Sequence, residues 1–157
     1  MKSGDLAAMA RKAQKHAYAP YSNYKVGAAL LTAGGHIFTG ANVENASYGL
    51  TVCAERIAVF AAVVAGEREF HSIAIAGSGE GYIYPCGACL QVLAEFSANI
   101  KIISVNENDE IREYYLGEML PQAFSLNKDV SSAVPLVGAD NDQVFGFNQD
   151  DPSRRGK

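Results

Sequence analysis

Cys53-Ala54-Glu55 and Pro85-Cys86-Gly87-Ala88-Cys89 contain all three cysteines of the chain. Three thiolates can hold a zinc ion and leave its fourth position open. A structural site closes that position, whereas a catalytic one keeps it for water. Glu55, two residues after the first cysteine, supplies a carboxylate that can move protons beside the open position. The chemistry this set serves is metal-assisted hydrolysis, in which zinc makes a bound water acidic enough to attack as hydroxide. Three thiolates on a dication leave one excess negative charge, which weakens the Lewis acid, and Arg56 is the cation placed to offset it.

Such residues need elements that aim them at one point. Cys53 to Ala65 is a strongly apolar stretch that reads as a helix ended by Gly66. Its lack of a polar face predicts burial in a core or at a subunit interface. Pro85 opens a second helix, from Cys86 to about Ala98, on whose first turn Cys86 and Cys89 share a face. Helix N-termini carry partial positive charge and lower thiol pKa values, so two helix starts aimed together favour thiolates. Around them, Asp5 to Ala19 reads as an amphipathic helix with a stripe of Leu6, Met9, Ala10, Ala13 and Ala17, stopped by Pro20. Tyr24 to Thr32 and His36 to Gly40 form a hairpin about Gly34-Gly35. Ala41 to Thr51 is loop, Ser72 to Ala76 and Lys101 to Asn106 are strands, and Tyr114 to Leu116 is a short edge strand. The order predicts an α/β fold with helices packed on a mixed sheet.

Each motif alone has a plainer reading. A single C-x-x-C also suits a dithiol redox pair or half a structural zinc site, and Glu in a first helical turn can serve only the helix dipole. A redox pair explains neither Cys53 nor Glu55, so the conjunction favours a catalytic zinc site. His16, His36 and His71 match no ligand spacing and read as surface residues. In the loop before the zinc helix, Asn42 and Glu44 are two apart and project to one side of an extended segment. An amide and a carboxylate there suit sugar hydroxyls, and the carboxylate repels phosphate, favouring a nucleoside over a nucleotide. The plainer alternative is that both side chains only cap turns.

Composition narrows the partners. The 157 residues are 48% hydrophobic and 19% charged, with a net charge of −4, as for a soluble globular domain. No Lys/Arg stripe serves nucleic acid. No apolar run approaches the roughly 18 residues of a membrane span, and Met1 to Leu6 lacks a leader pattern, so a cytoplasmic location is expected. An odd cysteine count there points to metal rather than disulfides.

From about Ala10 to Phe124 the chain resembles the small, homotetrameric cytidine deaminases of the cytidine and deoxycytidylate deaminase superfamily. The likeness is carried by Tyr18-Ala19-Pro20-Tyr21-Ser22, Val26-Gly27-Ala28-Ala29-Leu30, Asn42 to Glu55, Pro85 to Cys89, and Leu120-Pro121 followed by Phe124. It implies a three-layer α/β/α sandwich around a mixed five-stranded sheet. It implies one zinc per subunit on Cys53, Cys86 and Cys89, with Glu55 as proton shuttle, and a homotetramer with shared sites. It implies ribose contacts from Asn42 and Glu44 and base contacts from the backbone around Ala54. Ala46, Tyr48 and Phe124 fall where the family serves a neighbour's site or interface. Three positions depart from the pattern: Tyr24, near the nucleoside, stands for Phe; Tyr84, before the zinc-motif Pro, stands for Ser; and Leu90 stands for Arg after the last cysteine. These touch substrate preference and rate.

The expected activity is zinc-dependent deamination of cytidine and 2′-deoxycytidine, a pyrimidine salvage reaction. The alternatives are a deaminase of a modified cytosine nucleoside or cytosine-containing antibiotic, and a non-catalytic zinc-stabilised binding protein. Residues 1–124 are expected to form the catalytic domain, 125–149 an extension of unassigned role, with edge strands at Val134 to Val137 and Val144 to Phe147, and 150–157 a disordered tail.

Overall fold

The computed structural model describes residues 1–126. The extension and tail expected from residue 125 onward therefore lie, but for residues 125 and 126, outside the described residues. Five strands form one sheet in the order β2-β1-β3-β4-β5. They are β1 (Val26–Thr32), β2 (Ile37–Ala41), β3 (Phe70–Gly77), β4 (Lys101–Val105) and β5 (Ile111–Tyr115). Only β3 and β4 pair in parallel; every other neighbour is antiparallel.

Strand alternation divides the core into two layers. Ala28, Leu30, Ile73, Ile75 and Ile102 face α2 (Ala54–Val64) and α3 (Gly87–Ala94). Their neighbours Ala29, Leu31, Ala74, Ala76 and Ile103 face α1 (Ser3–Ala13). Helices thus cover both faces, giving the expected three-layer α/β/α sandwich. Two glycines let helices lie directly on strands. A Cβ at Gly27 would sit 2.1 Å from the Ala10 carbonyl oxygen, and one at Gly40 would sit 2.3 Å from that of Ala54. Gly40 therefore fixes the start of α2, where Cys53 and Glu55 stand.

The boundaries differ from expectation where tertiary pairing intervenes. The first helix begins at Ser3, tightens to a 3₁₀ turn over Gln14–His16, and does not reach Ala19. Tyr18 instead forms a bridge with Val43, which draws residues 17–19 into extended backbone. Ala7, not Met9, completes the buried stripe; Met9 is exposed. The third helix ends at Ala94 rather than Ala98, because Phe96 turns in to pack on Phe70 with ring centroids 4.5 Å apart. The last strand starts at Ile111, and Leu116 already opens a fourth helix, α4 (Leu116–Met119). Its Ile-Arg-Glu-Tyr-Tyr sequence hides an edge strand behind polar residues.

Candidate active site

Both predicted helix starts lie on the same face of the sheet. Cys53 is the N-cap of α2 and Cys86 that of α3, each with extended backbone, and Cys89 sits in the first turn of α3. The Cys53 and Cys86 Sγ atoms are 4.0 Å apart, those of Cys86 and Cys89 3.5 Å, and all three lie within 4.8 Å of one another. In a tetrahedral site with Zn–S of about 2.3 Å, sulfurs stand about 3.8 Å apart. The three cysteines are thus positioned to bind zinc, and the electrostatics agree. A hydrogen bond from Cys89, with Arg56 alongside, brings the Cys53 thiol down to about 5. The same bond, and burial, push Cys89 up. Protein groups alone favour the thiolate at Cys53 and the thiol at Cys89; a bound dication favours thiolate ligands.

Arg56 sits where the charge argument needs it. Its Nη2 donates to Cys53 Sγ at 3.7 Å and to the Thr51 carbonyl at 3.2 Å. Its Nε is buried with no hydrogen-bond partner among the described residues. Glu55 is 4% exposed. Burial, chiefly, and the neighbouring Cys53 thiolate raise its carboxyl to about 7. Leu90, where the resembling family has Arg, is buried in the core beneath α3 and takes no part in the charge balance.

Cys53, Glu55 and Cys86 open on a cleft of about 160 Å³ that also includes Asn42, Thr51, Ala54 and Tyr84. An antiparallel bridge between Val43 and Val52 closes the base of the intervening loop and carries Asn42 back to the cysteines. Thr51 also lines an adjoining cavity of about 430 Å³, with Tyr21, Ser22, Glu44 and Tyr48. One segment, residues 20–26, holds both Asn42 and Glu44 of the loop. Asn42 Oδ1 accepts from the Val26 N–H at 2.8 Å, and its Nδ2 donates to the Tyr24 carbonyl at 2.9 Å. Glu44 accepts from the Tyr21 and Ser22 N–H groups and the Ser22 hydroxyl. The Ser22 bond above all, reinforced by the two backbone bonds, holds the Glu44 carboxyl below its usual value.

The remaining expected site residues are spread out. The Tyr24 ring lies against Gly77 and Gly79 rather than in the cleft, and its carbonyl reaches the site through Asn42. Tyr84 lines the cleft, but its phenol meets that of Tyr114 at 3.3 Å. Ala46 and Tyr48 are exposed on the loop, and Tyr48 packs edge-on against Tyr21. Phe124 is 71% exposed, with its backbone clamped at both ends by the Gln91 side chain. The sequence analysis gives Thr51 and Ser22 no role at the site, although both fall within stretches that carry the family resemblance, because neither side chain by itself signals metal or proton chemistry.

Comparison with known proteins gives the same picture. The family described as the cytidine and deoxycytidylate deaminase zinc-binding region matches residues 2–105. The cytidine deaminase of Sporosarcina psychrophila is 45% identical over 129 residues, covering 82% of this chain and 94% of that protein. That of Halalkalibacterium halodurans is 47% identical over 115 residues, 73% and 87% of the respective chains. The crystal structure of cytidine deaminase from Burkholderia pseudomallei matches with a TM-score of 0.77 at 49% identity, covering 79% of this chain and 100% of that one. That from Mycobacterium tuberculosis matches at 0.71 and 38% identity, covering 80% and 99%.

Proposed function

The chain belongs to the cytidine and deoxycytidylate deaminase family, and from that premise we propose that it converts cytidine and 2′-deoxycytidine to uridine and 2′-deoxyuridine, releasing ammonia. The observation that carries this reading is the buried Glu55 carboxyl, raised to about 7, beside three sulfurs within reach of one ion. Zinc on Cys53, Cys86 and Cys89, one per subunit, supplies the Lewis acidity that activates water. Glu55 takes one proton of the attacking water and hands it to N3 of the ring as the oxygen bonds to C4. It then carries the remaining hydroxyl proton to the 4-amino group, so that the C4–N bond breaks, ammonia leaves and the C4 carbonyl forms. A carboxyl poised near the working pH gives and takes protons with equal ease, worth about 10²–10⁴ in rate.

Arg56, bonded to Cys53, offsets the excess thiolate charge. The backbone around Ala54 and the carbonyl of Tyr84 serve the base, and Asn42 and Glu44 the sugar hydroxyls. Glu44 repels a 5′-phosphate, so the substrate class is nucleoside. Phe60 and Val64 stand exposed on the outer face of α2, which supports assembly into a homotetramer, with Ala46, Tyr48 and Phe124 serving neighbouring sites. No helix among the described residues is long and apolar enough to cross a membrane, and the location we assign is the cytoplasm.

The test is the ultraviolet change of cytidine and 2′-deoxycytidine on adding the zinc-loaded protein. Loss of the cytosine band is expected. Tyr84 at the cleft wall favours a second substrate set, modified cytosine nucleosides, which a substrate panel separates from the first. Stoichiometric zinc with no turnover of any nucleoside would return the protein to the class of zinc-stabilised binding proteins.

A further inference from the structure

Glu44 is held from one side only. The N–H groups of Tyr21 and Ser22 both donate to Oε2, at 2.8 and 3.2 Å. The Ser22 hydroxyl donates to the other oxygen, Oε1, and accepts from the Tyr24 N–H at 3.0 Å. A carboxylate has about four acceptor sites, two on each oxygen. Both on Oε2 are taken, and one on Oε1 remains. The hydroxyl has a single proton, so accepting from Tyr24 commits that proton to Glu44. Asn23, at φ 56°, gives the turn the left-handed step that brings these donors together.

The two backbone donors converge on one oxygen and act as a pivot. The terminal torsion of Glu is broad and poorly restrained by itself. Among the described residues, only the Ser22 hydroxyl grips the second oxygen and stops the carboxylate from turning about that pivot. Glu44 lines the larger cavity, which shares Thr51 with the cleft of Glu55, Cys53 and Cys86.

We propose that Ser22 is a positioning residue for sugar recognition: it fixes the Glu44 carboxylate so that one Oε1 site accepts one hydroxyl of the nucleoside sugar. The proposal rests on the reading of Glu44 as a sugar contact. Its consequence is a selective defect. The hydroxyl meant is one on the 2′ or 3′ carbon, so replacing Ser22 should weaken nucleosides that carry these hydroxyls more than analogues that lack both, through KM rather than kcat.

The experiment compares cytidine with 2′,3′-dideoxycytidine as substrates, and uridine with 2′,3′-dideoxyuridine as calorimetric ligands, on the zinc-loaded protein. Ser22→Ala should reduce the cytidine-to-dideoxycytidine ratio of kcat/KM by about tenfold, in keeping with a hydrogen bond to a charged group. It should weaken uridine binding in parallel, and Ser22→Thr should restore both. If Ser22→Ala does not fold, Ser22→Cys, similar in size but a weak donor, carries the same comparison. Equal loss for both nucleosides, or no loss, while Glu44→Gln still collapses the ratio, would overturn the role of Ser22. If Glu44→Gln leaves the ratio intact, the sugar reading of Glu44 fails and the proposal falls with it.

Discussion

At the cysteine end of the cleft every reactive group sits at a helix start, from exposed Cys86 to buried Cys89 and Glu55, and is aimed by backbone geometry. Cys53 and Cys86 cap α2 and α3, and Glu55 and Cys89 follow in the first turns. At the other end, Asn42 and Glu44 stand on a loop and take their orientation from the N–H and carbonyl groups of the 20–26 segment. The first end is rigid because two helices are locked onto the sheet; the second because one segment spends its hydrogen bonds on two side chains. Rigid placement matters at both ends, since misplacement by about an ångström can lower a rate 10²-fold. Under the proposed function the groups being placed differ: proton and metal chemistry at one end, hydroxyl recognition at the other.

That contrast can be broken at several points. Glu55→Gln should have the largest effect, a fall in kcat of at least about 10²–10⁴ with zinc content unchanged, read by steady-state kinetics and metal analysis. Near wild-type turnover would remove Glu55 from the chemistry. Arg56→Gln should follow, weakening zinc binding by about 10–100-fold in a chelator competition, because Cys53 loses its charged donor. Gly40→Ala tests whether the α2 start is set by its seat on β2. The added methyl has no room beside the Ala54 carbonyl, so thermal unfolding should register a loss of about 1–3 kcal/mol, together with weaker zinc retention.

The smallest expected effect concerns pH and the other end of the cleft. Ser22 and the turn amides hold Glu44 below its reference value of 4.5. A depressed folded-state value means that the carboxylate's contribution to stability is present above 4.5 and is lost as the pH falls through the lowered value. Glu44→Gln should therefore flatten the acid limb of the stability curve, measured as urea midpoints from about pH 6 to about pH 3, and leave the neutral limb in place. An unchanged acid limb would mean that the turn does not rely on this carboxylate.

How much of this could be read beforehand depended on how local each signal was. The zinc set was legible because Cys53 with Glu55, and Cys86 with Cys89, form two short motifs, each next to a helix-start signal. The central strands were legible as short apolar runs bounded by turn residues. The length of the first helix was not, since a bridge between Tyr18 and Val43 stopped it. Nor was the full extent of β5, whose polar residues pair with Lys101 to Val105 at the sheet edge. Tyr24 shows the same limit at the site: the family resemblance put it near the nucleoside, and only the tertiary structure shows its ring over Gly77 and Gly79.

By itself, the sequence singled out Cys53, Cys86, Cys89, Glu55 and Arg56 as candidate site residues and an α/β fold with helices on a mixed sheet, because these follow from residue type, short spacing and element order. Only the tertiary structure decided that the sulfurs converge within 4.8 Å, that Glu55 is buried deeply enough to be raised to about 7, and that Ser22 holds Glu44. Distances and dielectric surroundings arise from segments far apart in the chain, and no local pattern encodes them.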